Sequence, residues 1–233
     1  MANNIDIEEI TKEAFAKVRY AYSKAKGETS CDDKVCTQLV FPRYRDKEEN
    51  VKGEIRVSEQ EFRFAFVEAF NERAKGSNYT YSIETPTRDT YLFSEGITSS
   101  EHKLNEQLPC ITEYGESANI DLVVYNGDEI AALIEFKCGT PKSEDYEKDM
   151  VKLTNEKESD EQAQRYFLQL LESSDDDTIK NIETKRLDVL AQKKKDEKNF
   201  RTVNYRCYSL CHKGERQEQP IHSRVFKFQK PNN

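Results

Sequence analysis

Apolar residues recur at three- and four-residue spacing from Asp6 to about Lys26: Ile7, Ile10, Ala14, Val18 and Ala21, with Lys and Glu between them. That period predicts an amphipathic helix, stopped by Gly27. Residues 28–54 carry no sustained period apart from Leu39-Val40-Phe41 before Pro42. They read as a connector holding at most a short strand. A second helix is predicted over 58–74. Ser58 followed three residues later by Glu61 is a capping-box pattern. Phe62, Phe64, Ala65, Phe66, Val67, Ala69 and Phe70 then put apolar groups on nearly every side, as in a helix buried over most of its surface.

The period then changes. Tyr79 to Thr87 alternates and is ended by Pro86, Asn119 to Tyr125 and Glu129 to Cys138 are apolar runs, and Asn126-Gly127-Asp128 joins them. Asn-Gly between such runs predicts a β-hairpin. Residues 88–116 read as irregular. Charged helices are predicted over 143–158 and over 161–172, the latter with a stripe of Ala163, Tyr166, Phe167 and Leu170. Another covers 178–199, and a last strand spans 203–210. No internal repeat is present. The chain divides into an N-terminal helical arm and connector (1–55), an α/β core (56–211) and a polar tail (212–233).

Composition narrows the function classes. The chain has 233 residues, 34% of them charged, and a net charge of −8. Its longest aliphatic run, Ile130 to Ile134, falls far short of the roughly 20 residues a membrane span needs. The acidic N-terminus has no apolar h-region, so a secretory signal is not expected and a cytoplasmic location is. Six cysteines are then expected to be reduced. Cys31, Cys36, Cys207 and Cys211 could alternatively supply zinc thiolates, although their spacings are not those of a tight knuckle. The acidity by itself argues against coating nucleic acid nonspecifically.

The hairpin carries the chemistry. Asp121 interrupts one apolar strand, and Glu135 and Lys137 interrupt the next. Charges in such strands are disfavoured unless paired or functional. Period-two geometry sets Leu133, Glu135 and Lys137 on one face. A three-residue loop, or a bulge of equal parity, would face Asp121 with Leu133. Asp121 would then lie diagonal to Glu135 on the same side of the sheet, roughly 7–8 Å away between backbones. Two carboxylates so placed can share a hard divalent cation. A bare two-residue loop would turn Asp121 to the opposite face.

Asp121 followed fourteen residues later by Glu135-Phe136-Lys137 across a hairpin resembles the signature of the PD-(D/E)XK nuclease superfamily. The predicted element order resembles its restriction-endonuclease-like core, α-β-β-β-α-β, a mixed central sheet flanked by helices. Gln162 and Tyr166 resemble the Q-x-x-x-Y element of the RecB-like branch, and are equally readable as an ordinary helix surface. Where the superfamily usually has proline before the aspartate, this chain has Ile120. The resemblance implies Mg²⁺, replaceable by Mn²⁺, held by Asp121, Glu135 and the main-chain carbonyl of Phe136. It implies that Lys137 orients a water or offsets transition-state charge, and that a glutamate joins from the first core helix. Glu61 is the preferred candidate and Glu68 the other.

The implied function is hydrolysis of phosphodiester bonds in nucleic acid, DNA ahead of RNA, in restriction, repair or defence, by a chain that could be a homodimer. The alternative is a noncatalytic module that keeps this fold to bind nucleic acid or protein. On the nuclease reading, an acidic surface needs one basic groove, for which Arg43, Arg45, Lys142 and Lys193-Lys194-Lys195 are candidates. Arg43-Tyr44-Arg45 also reads as a surface loop, and the lysine run as a solvated helix end. His102, His212 and His222 suggest no triad and are expected at the surface. Cys138 is expected to be a small buried residue rather than a nucleophile.

Overall fold

The computed structural model describes residues 5–28, 35–44, 53–93, 110–113, 115–188, 201–215 and 218–226. Helix α1 (Ile7–Lys26) begins at Asp6, whose carboxylate accepts the amides of Glu8 and Glu9, and ends at Gly27 in the left-handed conformation. Helix α2 (Glu59–Arg73) begins at the capping box of Ser58 and Glu61. Strands β1 (Tyr79–Leu92), β2 (Cys110–Ile111), β3 (Glu116–Asn126) and β4 (Glu129–Cys138) follow, then α3 (Ser143–Thr154) and β5 (Gln164–Ser174). Helix α4 (Asp176–Ile182), which continues into a π-helical turn, precedes β6 (Val203–His212) and β7 (His222–Phe226).

Among the described residues the strands form one open sheet in the order β2-β1-β3-β4-β5-β6-β7. It is mixed: β4, β5 and β6 run parallel, and the remaining neighbours are antiparallel. Helices cover both faces. Phe15 and Val18 of α1 and Phe62, Phe66 and Phe70 of α2 pack on Leu122, Val124, Ile134, Phe136 and Leu168. Burial of each such phenylalanine contributes on the order of 1.5–3 kcal/mol. On the opposite face, Tyr146, Met150 and Leu153 of α3 meet Val123, Leu133, Phe167 and Tyr205, with Ile182 following α4 onto the same surface. Helix α1 is therefore part of the main core rather than a detached arm. The stretch read as a polar tail supplies β7, which pairs with β6.

Three elements differ from the sequence reading. Residues 161–172, expected as a helix, form a turn and then strand β5. Its buried run Arg165–Leu171 is flanked by parallel partners on both sides, and a strand covered on both faces loses the alternation that marks strands. Tyr79–Thr87 extends to Leu92, into what read as irregular chain. Helix α3 stops at Thr154, and a 3₁₀ turn, Glu156–Glu158, follows it. Of the helix expected over 178–199, residues up to 188 are described and helical, beginning at Asp176.

The hairpin turn resolves the question of parity. Asn126 pairs with Glu129, so Gly127-Asp128 is a two-residue turn, with Gly127 at φ 62°. Tyr125 pairs with Ile130 but Val124 with Ala132, leaving Ala131 as a bulge. The extra residue restores the parity, and beyond it Leu122 faces Ile134. Continued one step, that register would set Asp121 opposite Glu135 rather than opposite Leu133, but the ladder ends at Leu122 and Ile134.

Candidate metal and phosphodiester site

The ladder between β3 and β4 ends at Leu122 and Ile134. Beyond that point β3 stays with β1 while β4 continues along β5, so the two strands diverge. At this fork the main-chain amide of Phe136 has lost its ladder acceptor, and the Asp121 carboxylate takes it: Phe136 N donates to Asp121 Oδ2 at 2.7 Å. Asp121 and Glu135 are thereby fixed beside one another. Sequence reasoning had reached this pair together with Lys137.

The fork is entered from both faces of the sheet. From α3, Lys152 Nζ stands 2.6 Å from Glu135 Oε1 and 3.0 Å from Asp149 Oδ1, and donates to the carbonyl oxygen of Asn119 at 2.8 Å. Lys137 Nζ stands 2.7 Å from Asp149 Oδ2. From α2, Arg63 Nη1 lies 3.7 Å from Asp121 Oδ1 and pairs with Glu84, a β1 residue in the left-handed region at φ 51°. Glu59, at the first turn of α2, is half-buried and feels the charges of Lys137, Asp121, Asp149 and Arg63. Five carboxylates, Asp121, Glu135, Asp149, Glu59 and the more exposed Glu84, thus lie around three cations, Lys137, Lys152 and Arg63.

Burial controls the protonation of this cluster. It pushes the carboxyl of Glu135 well above the ordinary range, and Asp149 and Asp121 push the same way against the pull of Lys152. Asp121 is raised by burial and by Asp149, although the Phe136 amide draws it down. Glu59 is raised chiefly by burial. Burial alone would lower the Lys137 and Lys152 ammoniums, but Asp149 beside the first and Glu135 and Asp149 beside the second raise both. The surroundings therefore favour the charged form of both lysines and work against the charged form of the Glu135, Asp121 and Glu59 carboxyls.

The donor set suits a hard divalent ion: buried carboxylates and main-chain carbonyls. Glu135 Oε1 and Asp149 Oδ2 are buried without a well-aligned hydrogen bond, although a lysine ammonium stands close to each. Such oxygens retain lone pairs for a cation. Among the described residues, no three His, Cys, Asp or Glu side chains already converge on a cation position. Asp121, Glu135, Asp149 and the Phe136 carbonyl are the groups that could hold one.

Both glutamates expected from α2 have partners away from Asp121 and Glu135. Glu61 is engaged at its own helix end, where its carboxylate accepts from the Ser58 amide at 2.9 Å and stands 3.5 Å from Arg56. Glu68 accepts from the Thr37 hydroxyl and lies 3.6 Å from Lys17. Glu59 is the α2 carboxylate coupled to the fork. Two residues along a helix is about 200° of rotation, so Glu59 and Glu61 leave α2 in different directions, although the Cys138 thiol feels both. The Q-x-x-x-Y match is likewise not on a helix. Gln162 sits in a turn, and Tyr166 lies on β5, packed in the core shared with α1 and α2, its hydroxyl donating to Gln164 at 2.9 Å.

Asp149, Lys152, Glu59 and Arg63 were missed. The available signal was the stripe Tyr146, Met150 and Leu153, which Asp149 and Lys152 border at i,i+3, within a helix whose charge reads as solvated. Of the other candidates, Arg43 donates to the Gly53 carbonyl at 2.7 Å and also to that of Ala25. Lys142 is exposed at the start of α3. Arg45, Lys193-Lys194-Lys195, Cys31 and His102 lie outside the described residues. Cys207 is fully buried, unlike the exposed Cys36, and the Cys138 thiol is pushed up to about 11, chiefly by burial. Neither His212 nor His222 faces solvent fully: His212 shares a hydrogen bond with Ser174 at 2.9 Å, and His222 packs on Tyr205.

Among the described residues, no helix is long and apolar enough to cross a membrane. Comparison with protein-family models, with curated proteins and with solved structures found no match for this chain.

Proposed function

We propose that this protein is a Mg²⁺-dependent phosphodiesterase acting on nucleic acid, with DNA as its main substrate. One observation supports the reading: at the fork where β3 leaves β4, Asp121 takes the Phe136 amide next to Glu135, and Asp149 holds Lys137 while sharing Lys152 with Glu135. The order α2-β1-β2-β3-β4-α3-β5, in which β2 is a two-residue edge strand and β4 and β5 are parallel, supports the likeness to the restriction-endonuclease-like arrangement. Asp121, Glu135 and the Phe136 carbonyl would hold the ion, which when bound polarises the scissile phosphate and lowers the pKa of a coordinated water. Lys137 presents a compact ammonium at the rim of the cluster, one-fifth exposed, where it can offset charge developing on the phosphate oxygens. Asp149 holds that ammonium in place and keeps it protonated. Arg63 restrains the free oxygen of Asp121 from the α2 side.

A plasmid-nicking assay tests this. Cleavage is expected with Mg²⁺ or Mn²⁺, none with EDTA, and at least about a hundredfold less with Lys137→Ala. Cleavage that persists in EDTA and in that variant overturns the mechanism.

The second reading is a noncatalytic binding module. One feature favours it: Lys137 and Lys152 are already paired with Asp149 and Glu135, so the charges are largely balanced within the chain. A protein that binds DNA in a mobility-shift assay, takes up no Mn²⁺ and nicks nothing would fit that reading.

A further inference from the structure

The ammonium of Lys152 is enclosed by oxygens from three separate elements. Glu135 Oε1 of β4 lies at 2.6 Å, Asp149 Oδ1 of α3 at 3.0 Å, and the main-chain carbonyl oxygen of Asn119 on β3 at 2.8 Å. The enclosure is dry: the side chains of Lys152, Asp149 and Glu135 are 8%, 7% and 1% exposed. Its walls are set by the fold. Divergence of β3 from β4 leaves the Asn119 carbonyl open on the β4 side, and Asp149 and Lys152 stand one turn apart on α3. Two carboxylates and a carbonyl converging on one point are the donor types that Mg²⁺ and Mn²⁺ take. A lysine is seldom buried so completely unless its charge is used.

Resting on the reading of this fork as a metal centre, we propose that the Lys152 ammonium is a tethered stand-in for the cation. Asp149 and the Asn119 carbonyl join Glu135 as oxygen donors, and a divalent ion enters by displacing Lys152. Asp149 thus serves two partners, Lys137 at one oxygen and the cation position at the other. The exchange is electrostatically downhill for the cluster, because its carboxylates outnumber its three cations and the incoming ion carries the larger charge. It also makes the lysine a competitor. A cage that Lys152 fills nine-tenths of the time weakens the apparent metal affinity about tenfold.

Full-length wild type, Lys152→Met and Asp149→Asn are titrated with Mn²⁺, followed by loss of the free-ion paramagnetic resonance signal. Lys152→Met is expected to bind about tenfold more tightly than wild type, and Asp149→Asn more weakly. Reductive methylation of the wild type, read by mass spectrometry, gives a second measure that needs no variant to fold. Lys152 is expected to be protected without metal and labelled several-fold faster in saturating Mg²⁺, while the exposed Lys24 is labelled equally in both. Wild-type Mn²⁺ binding with no tightening in a folded Lys152→Met overturns the stand-in role and leaves the metal centre intact. So does Lys152 protection that persists at saturating metal. Absence of Mn²⁺ binding in both wild type and folded Lys152→Met overturns the metal reading itself.

Discussion

Two glutamates at the start of α2 differ in their surroundings, one serving the helix end and the other lying among the charges of the fork. Glu61 accepts the Ser58 amide and completes the capping box, while Glu59 feels the charges of Lys137 and Asp121. Replacing Glu61 by alanine should cost about 1 kcal/mol of stability, the usual value of a helix cap, and leave the nicking rate within about twofold. Glu59→Gln should do the reverse. Its carboxyl is raised by burial, so removing that charge costs the fold at most about 0.5 kcal/mol, while nicking falls by about tenfold. Urea unfolding and the plasmid assay on both variants decide the matter, and a rate loss in Glu61→Ala equal to that in Glu59→Gln would reject the assignment. Asp121, Glu135 and Lys137 were readable because each is a charge inside an apolar strand. Glu59 and Asp149 were not, because a carboxylate on a charged helix looks the same whether it faces water or a buried cluster. On α2 the stripe Phe62, Ala65, Phe66, Ala69 and Phe70 marks the face that meets the core, while the exposed Phe64 blurs it in the sequence.

Among the elements, the hairpin and α2 could be foreseen because their signals are local: an Asn-Gly turn and a capping box. Strand β5 could not, since its flanking strands, which bury both its faces, come from distant parts of the sequence. The bulge at Ala131 lay between these cases. The need for matching parity was visible in the positions of Asp121 and Glu135, but its location was not. Strand β7 closes the far edge by pairing Cys207 with His222, whose ring lies 5.8 Å from that of Tyr205. Burial lowers the His222 pKa; Glu183 opposes this and Arg224 adds to it. A histidine held below its ordinary value of about 6.5 contributes stability that is present above that value and is lost as pH falls through the folded value. The urea midpoint should therefore fall as the solution is acidified from about pH 7, and His222→Gln should reduce that fall. Superimposable pH profiles for the two proteins would show that β7 does not respond to this histidine.

At the scale of the whole molecule, a charge of −8 acquires a different meaning once part of it is located. Asp121, Glu135, Asp149 and Glu59 are concentrated at one fork of the sheet, where burial raises Glu135, Asp121 and Glu59 and Asp149 adds its repulsion to each. On the proposed metal reading, a divalent cation would relieve the repulsion in this cluster, and its binding would then be coupled to folding. An ion that binds the native state and not the unfolded chain stabilises it by about 2.7 kcal/mol at one hundred times its Kd. For a chain of this length that corresponds to a rise in Tm of roughly 5–10 °C. NaCl at matched ionic strength screens exposed charges but hardly reaches carboxylates buried like Glu135, so it should give a much smaller rise. Glu135→Ala should abolish the response to Mg²⁺ while keeping the response to NaCl, because it removes a donor without changing the surface. Thermal melts of the two proteins across Mg²⁺ and NaCl series decide it. If Mg²⁺ raises the Tm of Glu135→Ala as much as that of the wild type, the ion is acting on the acidic exterior, and the cluster at the fork is an internal salt-bridge network rather than a metal centre.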